Sequence, residues 1–477
     1  LLPETIPTFS ASEIENLAEL PYSQLALAIF SRFIGDDIPQ DDLRRLIETS
    51  YATFSTKTVA PLEPVGDLYI QELFHGPTYA FKDVALQFLG NLFEYLLTRE
   101  KRSLNIIGAT SGDTGSAAIH GVRGKANINI FILYPHGKVS SVQEKQMTSV
   151  LDDNVFNLAI KGNFDDGQRI VKELFADLEF KRDYQLGAVN SINWARIMAQ
   201  IVYYFSAYSQ LPAAARKDFT VVVPTGNFGN IFAGWMAKEM GLPIKRLILA
   251  TNANDILYRF IQTGTYSLGE VMPTLSPSMD IQLASNFERY LYYLNDRNPQ
   301  QLKKMVAEFT TSGKLTINSD LFKKMTTDFA SARVEDQAIL ATIKDVWQKT
   351  GYILDPHTAT GVSAAQEYRA KHPTDTAIVC LATAHPAKFP DAVEQATGTP
   401  PPVPSAIAAL EKLPCRFDLI EAGTETVKAY VMGKLHFPRT QNRNCQPGAQ
   451  SPRHNVADNS QQRITKNLET VISRHDQ

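Results

Sequence analysis

Lys82 stands in the segment HGPTYAFKD, residues 75–83, directly behind Tyr79, Ala80 and Phe81. Burial among such neighbours lowers a lysine's pKa, and a neutral amine is what attacks an aldehyde. The plainer reading of the same residue is an exposed lysine at a helix start. A second segment, TGNFGN at 225–230, lies between FTVVVP and an apolar helical run. Gly226 and Gly229 let backbone amides approach an anion closely, and a helix start adds partial positive charge. That makes a phosphate cradle, or simply a tight turn. Its spacing does not match GxGxxG and no Gly-Lys-Ser/Thr follows, so neither a dinucleotide site nor a P-loop is supported. In ATSGDTGSAA, residues 109–118, Ser111, Thr114 and free amides suit a substrate carboxylate at a helix N-terminus. The same residue types also cap helices. In LATAHPAKF, residues 381–389, Thr383 presents a hydroxyl where ligands of open α/β sheets gather.

Each segment sits at the end of an expected strand. Apolar runs predict strands at 67–74, 104–109, 128–134, 155–160, 219–225, 246–250 and 376–382. Helical patterns fill the intervals, at 84–101, 139–151, 165–178, 192–211 and 226–241. Apolar strands alternating with helices predict a mostly parallel, doubly wound α/β architecture. Ahead of it, Ser10 and Glu13 form a capping-box start, 17–35 continues in helical spacing, and Asp41 is positioned to cap 42–54. Three regions follow: an N-terminal helical region at 1–65, an α/β catalytic region of two interleaved subdomains at 66–431, and a polar tail at 432–477 read as disordered. One lysine, one phosphate cradle, one carboxylate loop and one hydroxyl at strand ends are the set that pyridoxal phosphate requires.

Composition excludes several classes. A net charge of −3 over 477 residues offers no field for nucleic acid or an anionic membrane. No apolar stretch reaches the roughly 18 residues of a membrane span. Cys380, Cys415 and Cys445 have no metal or redox spacing, so no metal is expected, and sparse cysteine fits the cytoplasm. The chain opens on Leu-Leu-Pro with no methionine, so its natural start is expected to lie upstream.

HGPTYAFKD, ATSGDTGSAA, PTGNFGN and LATAHPAKF resemble, in that order, the signature segments of threonine synthases. NSINWARI at 190–197 and LDPHTATGV at 354–362 resemble further family segments, and the likeness runs to about residue 431. Its length and N-terminal extension are similar to the bacterial and fungal branch. The resemblance implies fold type II of the pyridoxal-phosphate enzymes, with the active site between two α/β domains. It implies that Lys82 binds the cofactor covalently and that Gly226, Asn227, Phe228 and Asn230 surround its phosphate. Thr383 would meet the pyridine nitrogen, and Ser111, Asp113 and Thr114 the substrate's amino-acid end or the cofactor ring. The implied reaction turns O-phospho-L-homoserine and water into L-threonine and phosphate, in a monomer or homodimer. Lys145 or Arg196 would hold the substrate phosphate. Tyr79 and Val84 depart from the residues many relatives carry beside the lysine. Two other readings stay open: a phospho-lyase giving 2-oxobutyrate, and a non-catalytic binding protein on the same scaffold.

Overall fold

Strands made of uninterrupted Val, Ile, Leu and Phe must be buried on both faces, so helices have to cover the sheet on either side. The computed structural model describes residues 1–373 and 377–435, and it shows two such sheets. In chain order the strands are β1 (Leu62–Val65), β2 (Leu68–Glu72), β3 (Leu104–Ala109), β4 (Ile128–Pro135), β5 (Val155–Lys161), β6 (Leu186–Gly187) and β7 (Phe219–Pro224). They continue with β8 (Ile244–Thr251), β9 (Thr265–Ser267), β10 (Lys314–Thr316), β11 (Phe329–Arg333), β12 (Ala377–Ala382) and β13 (Asp418–Glu421). One sheet has the order β1-β2-β12-β7-β8-β11, and the other β13-β5-β4-β3-β6. All neighbours are parallel except β1 with β2. β9 and β10 form a small antiparallel pair apart from both.

The expected strands at 104–109, 128–134, 155–160, 219–225 and 246–250 all form, with small changes at their ends. The expected strand at 376–382 forms from Ala377, since 376 lies outside the described residues. Several expectations need correction. Residues 62–65, assigned to the helical region, are an edge strand, the one place where Pro64 can sit in a ladder. Ser10 does make the capping box with Glu13, but Pro21 divides 17–35 into the helices Ala11–Ala18 and Tyr22–Ile34. Asp41 lies inside the first turn of Gln40–Tyr51, where its charge favours the helix dipole; the cap position is Pro39. β11 and β13 were not anticipated, because FASAR and DLIE lack an apolar run. The helix Thr424–Leu435 passes the boundary placed at 431, and the polar segment from 436, Cys445 included, lies outside the described residues.

The helix Lys82–Glu100 leaves β2 in one sheet and leads into β3 in the other, so it occupies the seam. Its Phe88 packs on Phe30 of the N-terminal helices, ring centroids 4.6 Å apart, in the largest core. Its Leu86 and Leu89 belong to the core beneath the second sheet. Against the helix Asp113–Val122 it approaches backbone to backbone. A Cβ on Gly90 would stand 1.9 Å from the carbonyl oxygen of Gly121, and one on Gly121 would stand 2.5 Å from that of Leu86. Nothing flexible can yield there. Gly90→Val is therefore expected to force the two helices apart and destabilise the fold by about 1–3 kcal/mol or more, read as a fall in the urea midpoint.

Candidate active site

β2, β12 and β7 are parallel neighbours, so the loops after all three emerge at one edge of the sheet. Those loops hold Lys82, Thr383 and the glycine turn 225–230. The first two are stitched together: the amide of Phe81 donates to the carbonyl of Thr383 at 2.9 Å, and that of His385 to Tyr79 at 3.1 Å. Ala80 and Ala384 form an isolated antiparallel bridge between these hydrogen bonds. Within the lysine segment, Asp83 accepts from the amide and the hydroxyl of Thr78, each at 2.7 Å, and burial pushes its carboxyl up to about 6. Gly76 is required, since a Cβ there would stand 2.4 Å from that of Asp83. Tyr79 holds a left-handed φ of 57° beside it.

Lys82 opens its helix with 8% of its surface exposed. Burial lowers its pKa, Asp113 opposes that shift, and the positive charges of Lys388 and Arg196 add to it. Asp113 arrives from the second sheet. After β3, the hydroxyl oxygen of Thr110 accepts the amides of Gly112 and Gly115, at 3.0 and 2.9 Å, and Gly112 takes φ 139°. This turn sets Asp113 at the start of its helix, with Oδ2 3.4 Å from Nζ of Lys82 and Oδ1 2.7 Å from Nζ of Lys388. Gln143 donates to Oδ1 at 2.8 Å, and the hydroxyl of Ser278 to Oδ2 at 3.4 Å. Burial alone would raise this carboxyl, but the two ammonium groups hold it well below the usual carboxylate range.

The glycine turn reaches the same place through Ser278. A Cβ on Gly226 would stand 2.9 Å from the carbonyl oxygen of Ser278, whose hydroxyl is the one that reaches Asp113. Phe228 takes φ 63° and buries its ring against Phe287, Tyr290 and Phe329. The carbonyl of Asn227 accepts from the amide and the side chain of Asn286, at 3.1 and 3.0 Å. Asn230 accepts from the hydroxyls of Tyr203 and Tyr204, at 2.5 and 2.9 Å, while its Nδ2 is buried with no partner. No protein acceptor among the described residues takes the amides of Gly226, Asn227 or Phe228. Behind Thr383, the hydroxyl of Thr358 accepts its amide at 3.3 Å and donates to Asp355, whose Oδ1 is 2.9 Å from Nδ1 of His357.

The amine, the carboxylate, the glycine turn and Thr383 thus converge. Ser111 and Thr114 flank Asp113, the first exposed and the second half-buried, and no hydrogen bond engages either side chain among the described residues. Arg196 is buried, its Nε and Nη1 have no partner, and burial pulls its pKa down to about 10. Lys145 instead donates to the carbonyl of Glu411 at 3.1 Å. Lys388 lies within LATAHPAKF, where no local signal separates a buried lysine from a surface one. Among the described residues no cluster of His, Cys, Asp and Glu could hold a metal. A hollow of about 460 Å³ beside Asp42, Arg45 and Tyr95 contains none of these groups.

Three free amides in a row, an unpaired buried Asn230 donor and a largely desolvated amine fit a phosphorylated aldehyde such as pyridoxal phosphate. Comparison with known proteins agrees. The profiles described as Threonine synthase N terminus, Pyridoxal-phosphate dependent enzyme, and Threonine synthase, C-terminal match residues 1–51, 57–308 and 358–431. The threonine synthase of Pseudomonas aeruginosa is 46% identical over 432 residues, spanning 90% of this chain and 92% of that one. That of Saccharomyces cerevisiae is 48% identical over 429 residues, 83% of each. The solved structure of pyridoxal-phosphate-bound threonine synthase from Brucella melitensis superposes with a TM-score of 0.88 at 45% identity, covering 91% of this chain and 93% of that one.

Replacing Asp113 with Ala would leave the fully buried Lys388 ammonium without its counter-charge. The expected loss is about 3–5 kcal/mol. Because the folded carboxyl sits below its ordinary 3.8, its contribution is complete above that value and is lost as pH falls beneath it. Urea titrations from pH 7 downward should show the deficit of Asp113→Ala shrinking below about pH 4.

Proposed function

The chain belongs to the threonine synthase family of pyridoxal-phosphate enzymes, and from that premise we propose that it converts O-phospho-L-homoserine and water into L-threonine and phosphate. Its fold is the type II α/β arrangement, and its cofactor is pyridoxal phosphate. The observation that carries the substrate reading is Arg196, a buried guanidinium with two unpaired nitrogens whose charge bears on Lys82.

When bound, the cofactor supplies an aldehyde carbon that takes up amines and a ring that spreads the electron pair left by a departing proton. Lys82 would hold the aldehyde end. The amides of Gly226, Asn227 and Phe228, with Nδ2 of Asn230, would hold the phosphate. Thr383 would offer its hydroxyl to the ring nitrogen, and a hydroxyl cannot protonate that nitrogen as a carboxylic acid would. Ser111, Asp113 and Thr114, at the N-terminus of a helix, would receive the amino-acid end of the substrate. Nζ of Lys82, once released, would accept the Cα proton, a role that burial favours by lowering the pKa of the amine. Arg196 would grip the γ-phosphate and stabilise it as it leaves. In the net change the Cγ–O bond breaks and phosphate leaves with its electron pair; Cβ loses one proton and Cγ gains one; water gives its hydroxyl to Cβ and its remaining proton to the phosphate.

Cys380 and Cys415 are free thiols, which supports placing the enzyme in the cytoplasm. No helix among the described residues is long and apolar enough to cross a membrane.

Incubation with O-phospho-L-homoserine is expected to yield threonine and phosphate in equal amounts. Accumulation of 2-oxobutyrate and ammonia would assign a phospho-lyase instead. Lys82→Ala should remove the visible absorption band of the loaded protein. Arg196→Ala should raise KM for the phosphorylated substrate tenfold or more, about the worth of one charged hydrogen bond, with the band intact.

A further inference from the structure

Asp113 has two ammonium neighbours, and the two contacts are unequal. Nζ of Lys388 lies 2.7 Å from Oδ1 and also donates to the carbonyl of Thr78 at 2.8 Å. Nζ of Lys82 lies 3.4 Å from Oδ2, at the long edge of hydrogen bonding. Lys388 has no exposed surface at all. It is locked on two acceptors, one from each neighbouring loop, while Lys82 remains loosely held.

We propose that Lys388 is a positioning residue for the reaction: it is the standing counter-ion of Asp113, so the Lys82 amine need not carry a proton to balance that carboxylate. This rests on the reading of Lys82 as the cofactor lysine. Charge arithmetic supports it. With Lys82 neutral, Asp113 and Lys388 sum to zero, and a buried site tolerates that far better than an unpaired charge. Without Lys388, Asp113 would draw its counter-charge from Lys82 and hold that amine protonated. The other titratable groups packed around the cluster leave this balance in place. Arg196 acts on Lys82 in the same sense as Lys388. His120 and His385 are both pulled down to about 4, mainly by burial, so they are neutral near pH 7. Asp83 is pushed up to about 6, and its carboxyl is committed to Thr78.

Competitive labelling of the cofactor-free full chain with trace acetic anhydride, read lysine by lysine in a mass spectrometer, gives the pH midpoint at which Lys82 becomes nucleophilic. No turnover is involved. In Lys388→Met that midpoint should rise by about one pH unit or more, a tenfold loss of neutral amine at fixed pH. Lys388→Arg, which keeps the charge, should restore the parent midpoint. Should the Met variant fail to fold, Lys388→Gln removes the charge while still donating to Thr78, and the same rise is expected. An unchanged midpoint in the neutral variants, or an equal rise in Lys388→Arg, would overturn the proposal. The absorption band of the loaded parent separates the two readings. If it survives Lys82→Ala, the assignment of the cofactor lysine fails; if it vanishes and the Lys388 variants leave the midpoint in place, only the role of Lys388 falls.

Discussion

A carboxylate from one sheet reaching two lysines carried by the other is the constraint on which this molecule depends. Burying an unpaired ion costs several kcal/mol even after relaxation, so Lys388 could not sit where it does without Asp113, which also reaches the Lys82 amine. The pairing also joins the two α/β units at the point where the chemistry is placed. Gln143 and Ser278 complete the hydrogen bonding of the carboxylate, so the charge is held in one orientation instead of hunting among partners.

The backbone explains why this carboxylate meets these lysines. Three adjacent parallel strands deliver the Lys82, Thr383 and Gly226 loops to one edge, and hydrogen bonds between residues 79–81 and 383–385 remove their freedom to drift. Gly76, Gly112 and Gly226 stand where a side chain would collide with Asp83, Gln143 or the carbonyl of Ser278. Strain at Tyr79 and Phe228, both left-handed, is held by packing on either side. The seam helix beginning at Lys82 packs into the cores on both sides, so the amine is anchored to both.

Much of this was legible in the residues, for physical reasons. Strands such as LNIIGA announce themselves because burial on both faces demands unbroken apolar runs, and Lys82, Thr383 and the glycine turn were visible because loops at strand ends carry chemistry. What was hidden is what packing alone decides. Lys145 and Arg196 were equivalent as cations until the fold gave one a carbonyl partner at the surface and left the other buried and unpaired. Lys388 lies within a segment already in view, yet its role depends on Asp113, 275 positions earlier in the chain (388 − 113) and in the other sheet. Ser278 sits in a stretch with no periodic signal, and its contacts with Gly226 and Asp113 show that it closes the site.

The central claim is that one amine and one glycine turn hold opposite ends of the same cofactor. A crystal structure of the chain loaded with pyridoxal phosphate tests it directly. The account predicts continuous density from Nζ of Lys82 into the cofactor, with its phosphate against the amides of Gly226, Asn227 and Phe228. Density joined to another lysine, or a phosphate seated away from that turn, would contradict it.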